Sequence, residues 1–297
     1  MNNTSKTNAI ASKVLGEKVD APLFYDNTIL VPIPREENRQ QYNIKSSDFA
    51  LGYDVWNCYE VSFMTNTGLP VSGYARIIYN ADNDFIIESK SLKLYLNSFN
   101  MSKFGVNTED AIKIVTDTIE QDLSKALKTD VKFQWFGTGL GVKTHDVLGK
   151  YSPLESIINL DLIEFNQYEE SPEVLQEELF ECKSILKFST NLLRSNCRVT
   201  NQPDWGTVLI EIAGENLPSY ASIAKYLVSF RNESHFHEEC VEMIYARLSR
   251  FNPSFLNVTA LYTRRGGIDI CPVRSLTGKG DLLTIDPLVL NKHTIQQ

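Results

Sequence analysis

The chain has 297 residues, 42% hydrophobic and 22% charged, the balance of an ordinary globular protein long enough for two domains of roughly 100–200 residues each. Its 29 basic and 37 acidic residues leave a formal charge of −8, which argues against nonspecific binding to nucleic acid or an anionic membrane. No run approaches the ~18 apolar residues of a membrane span, the start Met1-Asn2-Asn3-Thr4-Ser5-Lys6 lacks a signal peptide's apolar core, and five scattered cysteines without Cys-x-x-Cys favour a reducing cytoplasm over a disulfide framework or structural zinc.

Taken in order, residues 1–50 are polar and turn-rich, with Pro32, Pro34 and the charged run Arg35-Glu36-Glu37, and read as a loosely ordered arm. Val55 to Met64 and Val71 to Tyr79 read as strands around the turn Thr65-Asn66-Thr67-Gly68-Leu69-Pro70, which makes a hairpin. Phe85-Ile86-Ile87 is a third short run that leads into Glu88-Ser89-Lys90-Ser91. Leu92, Leu94, Tyr95, Leu96 and Phe99 then recur at helical spacing, stopped by Asn100 and Gly105. Asn107 or Thr108 caps a longer helix striped by Ala111, Ile112, Ile114, Val115, Ile119 and Leu123, and Val131 to Phe136 closes the half as a strand.

The second half repeats the order. Ile185 to Phe188 and Asn196 to Thr200 read as strands before a Gln202-Pro203-Asp204 turn, and Thr207 to Ile212 pairs back. Helices follow from about Ser219 to Phe230 and Phe236 to Phe251. Val258 to Tyr262 and Ile268 to Ile270 form a closing hairpin around Arg264-Arg265-Gly266-Gly267. Tyr95-Leu96-Asn97-Ser98-Phe99-Asn100 matches Tyr226-Leu227-Val228-Ser229-Phe230-Arg231 at the same place in each half, which points to a duplication. The class is α+β, helices layered on antiparallel sheet. The boundaries expected are 1–50 for the arm, 51–140 for the first module, 141–180 for an acidic, solvated connection, 181–285 for the second module and 286–297 for a tail.

Four clusters hold chemistry. Cys197 and Asp204 flank one short segment and are either a nucleophile with its proton donor or a small buried hydrophobe beside a turn. In Glu88-Ser89-Lys90-Ser91, either Ser89 or Ser91 caps the helix and Lys90 is solvated, or the stretch is an anion site at a strand-to-helix junction. His235-Phe236-His237-Glu238-Glu239 lacks a third ligand at zinc spacing and is otherwise a helix start. Arg264-Arg265-Gly266-Gly267 is a turn, or a turn with a phosphate clamp. Neither a Rossmann fingerprint nor a Walker loop nor a serine nucleophile elbow is present.

Several long motifs in register carry a resemblance: Glu88-Ser89-Lys90-Ser91-Leu92-Lys93-Leu94-Tyr95-Leu96-Asn97-Ser98-Phe99-Asn100, Ser195-Asn196-Cys197 with Gln202-Pro203-Asp204-Trp205-Gly206, Ser229-Phe230-Arg231 with Phe236-His237-Glu238, and Tyr262-Thr263-Arg264-Arg265-Gly266-Gly267. Over most of residues 15–280 the chain resembles the NADPH-dependent 7-cyano-7-deazaguanine reductases, the nitrile reductases of queuosine biosynthesis in tRNA modification, in their long two-module form. The resemblance implies tandem tunnelling-fold (T-fold) modules, each ββααββ, in a homodimer or other homo-oligomer. It implies that Cys197 adds to the nitrile carbon as a covalent thioimide, that Asp204 supplies the proton, and that His237 assists in proton delivery or orientation. Ile87, Glu88, Ser89, His237 and Glu238 correspond to substrate contacts, with the carboxylates on the deazaguanine edge. Ser89, Lys90, Arg265 and Gly266 correspond to NADPH contacts, with no metal. Arg198 departs from the family pattern, which places an aliphatic residue after the cysteine. The rival readings are a GTP cyclohydrolase-like enzyme of the same fold, which needs zinc ligands, and a non-enzymatic purine- or pterin-binding module, which needs no Cys197–Asp204 pair.

Overall fold

The computed structural model describes residues 22–139, 142–176, 178–280, 290–291 and 297. The start of the expected arm, residues 1–21, and nearly all of the tail at 286–297 lie outside the described residues.

The remainder of the arm is more ordered than its polar composition implies. Strand β1 (Pro32–Pro34) pairs antiparallel with a later strand, and helix α1 (Glu36–Tyr42) follows it. Ile33 is fully buried, and so, nearly, is Arg35. The run Arg35-Glu36-Glu37 therefore does not sit wholly in water: Arg35 reaches inward to buried carboxylates.

Strands β2 (Leu51–Met64) and β3 (Pro70–Asn80) form the expected hairpin. Its turn is closed by Thr65 N–H donating to Leu69 O at 2.9 Å, with Gly68 at a φ of 87° that a side chain would resist. β4 (Phe85–Ile87) is the partner of β1 and delivers the chain into α2 (Ser89–Ser98). α3 (Thr108–Leu127) starts on Asn107, whose side chain accepts from Asp110 N–H at 2.9 Å, and buries Ala111, Val115, Ile119 and Leu123. β5 (Val131–Gly137) then pairs with β3.

The connection is not a free linker. After β6 (Thr144–His145), β7 (Ser152–Pro153) and the short α4 (Leu154–Ile157), it buries Tyr151, Leu154, Val174 and Leu175. Its Glu170, expected to be solvated, accepts from Tyr226 OH and Arg247 Nε, each at 2.9 Å.

In the second half, the strand expected at 185–188 is part of a much longer one, and the strand expected at 196–200 is absent but for its first residue. β8 runs from Leu179 to Asn196, and Cys197 to Gln202 is a loop rather than strand. Pro203 opens β9 (Pro203–Pro218), where its missing N–H costs little at a strand's first residue. Helices α5 (Tyr220–Val228) and α6 (His237–Ser249) and the hairpin β10 (Phe255–Tyr262) and β11 (Ile268–Ser275) complete it. β12 (Leu290–Asn291) pairs in parallel with β6.

The eight-stranded sheet has the order β5-β3-β2-β11-β10-β9-β8-β7, antiparallel except at β7. The halves join at β2 and β11, in register from Leu51 opposite Ser275 to Cys58 opposite Ile268. Among the described residues the first half contributes three strands to this sheet, not the two hairpins expected, because β6 pairs elsewhere.

Side chains alternate between faces, so one face is continuous across the join. Val258, packed with α6, lies opposite Arg274; Ile270 and Ile268, on the same side of β11, lie opposite Trp56 and Cys58, packed with α2. Both helix pairs therefore cover one face. The duplication is visible in detail. Ser98 Oγ donates to Tyr95 O and Ser229 Oγ to Tyr226 O, both at 2.6 Å. The ring pairs Tyr95–Phe99 and Tyr226–Phe230 sit edge-on at 5.2 and 5.4 Å. Among the described residues, no helix is long and apolar enough to cross a membrane.

Candidate active site

A cavity of about 240 Å³ lies over the join of the two halves. Its floor is Trp56 of β2 with Ile268 and Ile270 of β11, and its walls are the start of α2, the 197–202 loop and the start of α6. Strand ends and helix starts place short side chains on a rigid frame, which is what positions a reacting group.

Cys197, Asp204, His237 and Glu238 all border this cavity. Cys197 is a free thiol of intermediate burial, whereas Cys58, Cys240 and Cys271 are buried in the core. Burial raises those three thiols, Cys240 to about 12, which makes them poor nucleophiles. Asp204 stands at the start of β9, buried, with each of its two oxygens beside a different side chain. Oδ2 is 3.4 Å from His237 Nε2 and Oδ1 is 3.1 Å from Arg265 Nη1. The His237 ring stacks flat on Tyr262, centroids 3.8 Å apart, so its tilt is fixed.

Glu238 is buried, and its Oε1 has no hydrogen-bond partner among the described residues. Burial, and then the charge of Asp54, push this carboxyl well above its ordinary range, against the pull of Arg35 and Arg274. A buried acceptor left open at a cavity wall is completed by a ligand that brings N–H groups.

Glu88 is placed differently from Glu238. It does not border the cavity, and both its oxygens cap α2: Oε1 accepts from Lys90 N–H at 2.9 Å and Oε2 from Ser91 N–H at 2.7 Å. Two of the N–H groups that the anion-site reading left open are thus taken by the chain's own carboxylate. Ile87 and Ser89, on either side, do border the cavity.

The cationic wall is made by side chains. Lys90 and Lys93 of α2 face Arg265, and Gly266 lies between with a φ of 57°. The positive φ favours glycine there; a Cβ would also meet Lys93 Nζ, a contact that a flexible lysine can relieve. Lys93 lies within a motif already singled out, one helical turn beyond Lys90, and that i+3 spacing was the signal for it. Trp56, in the middle of a strand, carried none. His235, outside the expected set, also borders the cavity; its Nε2 lies 3.0 Å from Glu233 Oε2. Burial lowers the His235 pKa, but the hydrogen bonds to Glu233 and Glu239 outweigh it and the net shift is upward.

Comparison with known proteins identifies the family of the chain. A family model described as "Nitrile reductase, 7-cyano-7-deazaguanine-reductase N-term" matches residues 22–135, and one described as "QueF-like protein" matches residues 203–280. The chain is 39% identical over 269 residues to the NADPH-dependent 7-cyano-7-deazaguanine reductase of Rickettsia massiliae, covering 90% of this chain and 93% of that protein. It is 38% identical over 275 residues to the protein of the same name from Hydrogenovibrio crunogenus, covering 92% and 95%. For the one from Legionella pneumophila (strain Corby) the identity is 39% over 263 residues, 88% of each chain.

Proposed function

The chain belongs to the family of NADPH-dependent 7-cyano-7-deazaguanine reductases, and we propose from that membership that it reduces the nitrile of 7-cyano-7-deazaguanine to the primary amine of 7-aminomethyl-7-deazaguanine, through a thioimide on Cys197, as a step of queuosine biosynthesis. The observation that carries this reading is the placing of Cys197, Asp204, His237 and Glu238 on one cavity, with a buried Glu238 oxygen still open.

Glu238 accepts N–H groups of the deazaguanine edge, which a carboxylate matches with two oxygens. The ring lies between the start of α6 and the floor at Trp56, with the nitrile toward Cys197. Cys197 Sγ bonds to the nitrile carbon. Asp204 takes the thiol proton and passes it to the nitrile nitrogen, so the thioimide forms without net gain or loss of protons. His237 and Arg265 keep Asp204 aimed while the proton moves.

NADPH fits the cationic wall: Lys90, Lys93 and Arg265 suit its phosphates, and the absent Cβ at Gly266 lets a ligand approach the backbone, with Ser89 alongside. The chemistry it supplies when bound is hydride, two equivalents over the four-electron reduction of nitrile to amine. Between the two reductions the C–S bond breaks, its electron pair leaving on Cys197 as thiolate, and the carbon becomes an imine. Sulfur suits both roles, because it is nucleophilic and a good leaving group.

The test is stoichiometry. Wild-type protein is expected to consume two NADPH for each 7-aminomethyl-7-deazaguanine formed, and Cys197→Ala to lose at least about a thousandfold in kcat. No nitrile-dependent consumption of NADPH by the wild type would overturn the assignment.

A further inference from the structure

Arg198 is a residue with no role in the reaction just described, and its position next to the thiol invites one. Asn196 and Arg198 flank Cys197 in sequence, and both are fastened to the same short stretch, residues 233–239. Asn196 N–H donates to Glu233 O at 2.8 Å, and His235 N–H donates to Asn196 O at 3.1 Å. Arg198 Nη1 lies 2.9 and 3.0 Å from the two carboxylate oxygens of Glu239, with the side chains only 9% and 6% exposed. Glu239 Oε2 also accepts from Phe236 N–H at 3.0 Å, so the carboxylate that holds Arg198 is itself part of the start of α6. That stretch carries His237 and Glu238.

The loop is otherwise tied mainly to itself. Cys197 N–H donates to Gln202 O at 2.7 Å and Asn201 N–H to Cys197 O at 3.0 Å, with Asn201 at a left-handed φ of 53°. These bonds give the loop its shape but do not fix it to the wall that holds the ring. On one side of the thiol that attachment is the backbone of Asn196. On the other it is, directly beside the thiol, the Arg198–Glu239 pair, which Glu37 of α1 backs at 3.8 Å; further along the loop Ser234 Oγ donates to Asn201 Oδ1 at 3.4 Å and Val199 packs on Ile33 and Ile86. A paired, largely buried guanidinium gives a defined geometry where an exposed pair would not.

We propose that Arg198 is a positioning residue for the Cys197 thiol, holding it in the same frame as Glu238 so that a ring seated on Glu238 presents its nitrile carbon to sulfur. The inference rests on Cys197 being the nucleophile. Displacement of a reacting atom by about 1 Å costs up to a hundredfold in rate without changing what binds the ligand. Arg198 therefore acts on bond formation, not on affinity.

The experiment follows adduct formation by intact mass on rapid mixing with 7-cyano-7-deazaguanine in the absence of NADPH, alongside the ligand Kd by calorimetry on a Cys197→Ala background. Wild type is the control: if it forms no adduct, the assigned reaction fails, not the role of Arg198. Arg198→Leu is expected to slow adduct formation by about 10- to 100-fold with Kd changed by less than about threefold. Arg198→Lys, which keeps the charge but loses the two-oxygen grip, is expected to be intermediate. Glu239→Gln retains an acceptor for Phe236 N–H and is expected to reproduce part of the slowing. The double variant should be no slower than the worse single one, because both remove the same contact. A wild-type rate in Arg198→Leu, full recovery in Arg198→Lys, or a Kd that rises in step with the lost rate would each overturn the proposal.

Discussion

Glu238 and Glu242 lie one turn apart on α6, both buried, yet their surroundings drive them in opposite directions. Burial raises both. Around Glu242 it is outweighed by Arg274, Arg39 and Arg35, which bring that carboxyl down to about 2. Arg39 and Arg274 reach it at 2.8 Å. Glu238 adds the charge of Asp54 to its desolvation and keeps an oxygen open toward the cavity. Glu242 is satisfied within the fold, and Glu238 is the carboxylate proposed to take the ring. Because the folded-state pKa of Glu238 is raised, its contribution to stability is complete at low pH and is lost as pH rises through that value. Glu238→Gln removes the loss. The free variant is expected to gain on wild type between about pH 5 and pH 8.5, by on the order of 1–3 kcal/mol, while binding the deazaguanine about tenfold to a hundredfold more weakly. Thermal melts at the two pH values and a calorimetric Kd check this; an unchanged Kd would remove Glu238 from the ring edge.

At the scale of elements, the N-terminal stretch shows how far the sequence could be read and where it stopped. The period-3.6 stripe of α3 and the apolar runs of β2 and β3 around a Gly-Leu-Pro turn announced themselves in the local pattern. β1 and α1 did not. Beyond the single buried Ile33, the contribution of this stretch to the interior is ionic: Arg35, between the two elements, pairs with Asp54, and Arg39 of α1 with Glu242, across long separations that no local pattern reveals. A charged run reads as solvated unless its partners are known. The length of β8 was hidden for a related reason, since its first residues are only partly buried and carry charges. Arg39→Met leaves Glu242 with fewer counter-charges. It is expected to lower stability at neutral pH by about 3 kcal/mol, less if water reaches the site. The depressed pKa of Glu242 gives stability that is present above its ordinary value of 4.5 and lost as pH falls toward 2. The deficit of the variant should therefore narrow across that acid range. Urea titrations at neutral pH and at about pH 3 measure both, and an equal deficit at the two would contradict the account.

For the whole molecule, the decisive feature is that two similar halves share a sheet and place one cavity over its join. The motifs around Cys197, Asp204, His237 and Glu238 were legible as separate clusters from the residues, and only the family resemblance implied that they meet, because their meeting depends on β9 and α6 being brought together by packing. Trp56 was illegible as a site residue, since nothing distinguishes it along β2 until β11 lies beside it. Glu88 was legible as an important carboxylate, but its use as the cap of α2 depends on backbone geometry. What the halves contribute differs: the first supplies Trp56 and two of the cations, Lys90 and Lys93, and the second supplies Ile268, Ile270, Arg265, the thiol, the acid proposed for it and the carboxylate proposed to bind the ring. That division predicts that covalent capture of the nitrile is complete before any reductant binds. The measurement that tests this most directly is the intact mass of wild type and Cys197→Ala after mixing with 7-cyano-7-deazaguanine and no NADPH. A gain equal to the mass of the nitrile, present only with Cys197 and discharged when NADPH is added, is the result expected. Wild type that binds the compound yet gains no mass would contradict the assignment of Cys197 as the nucleophile.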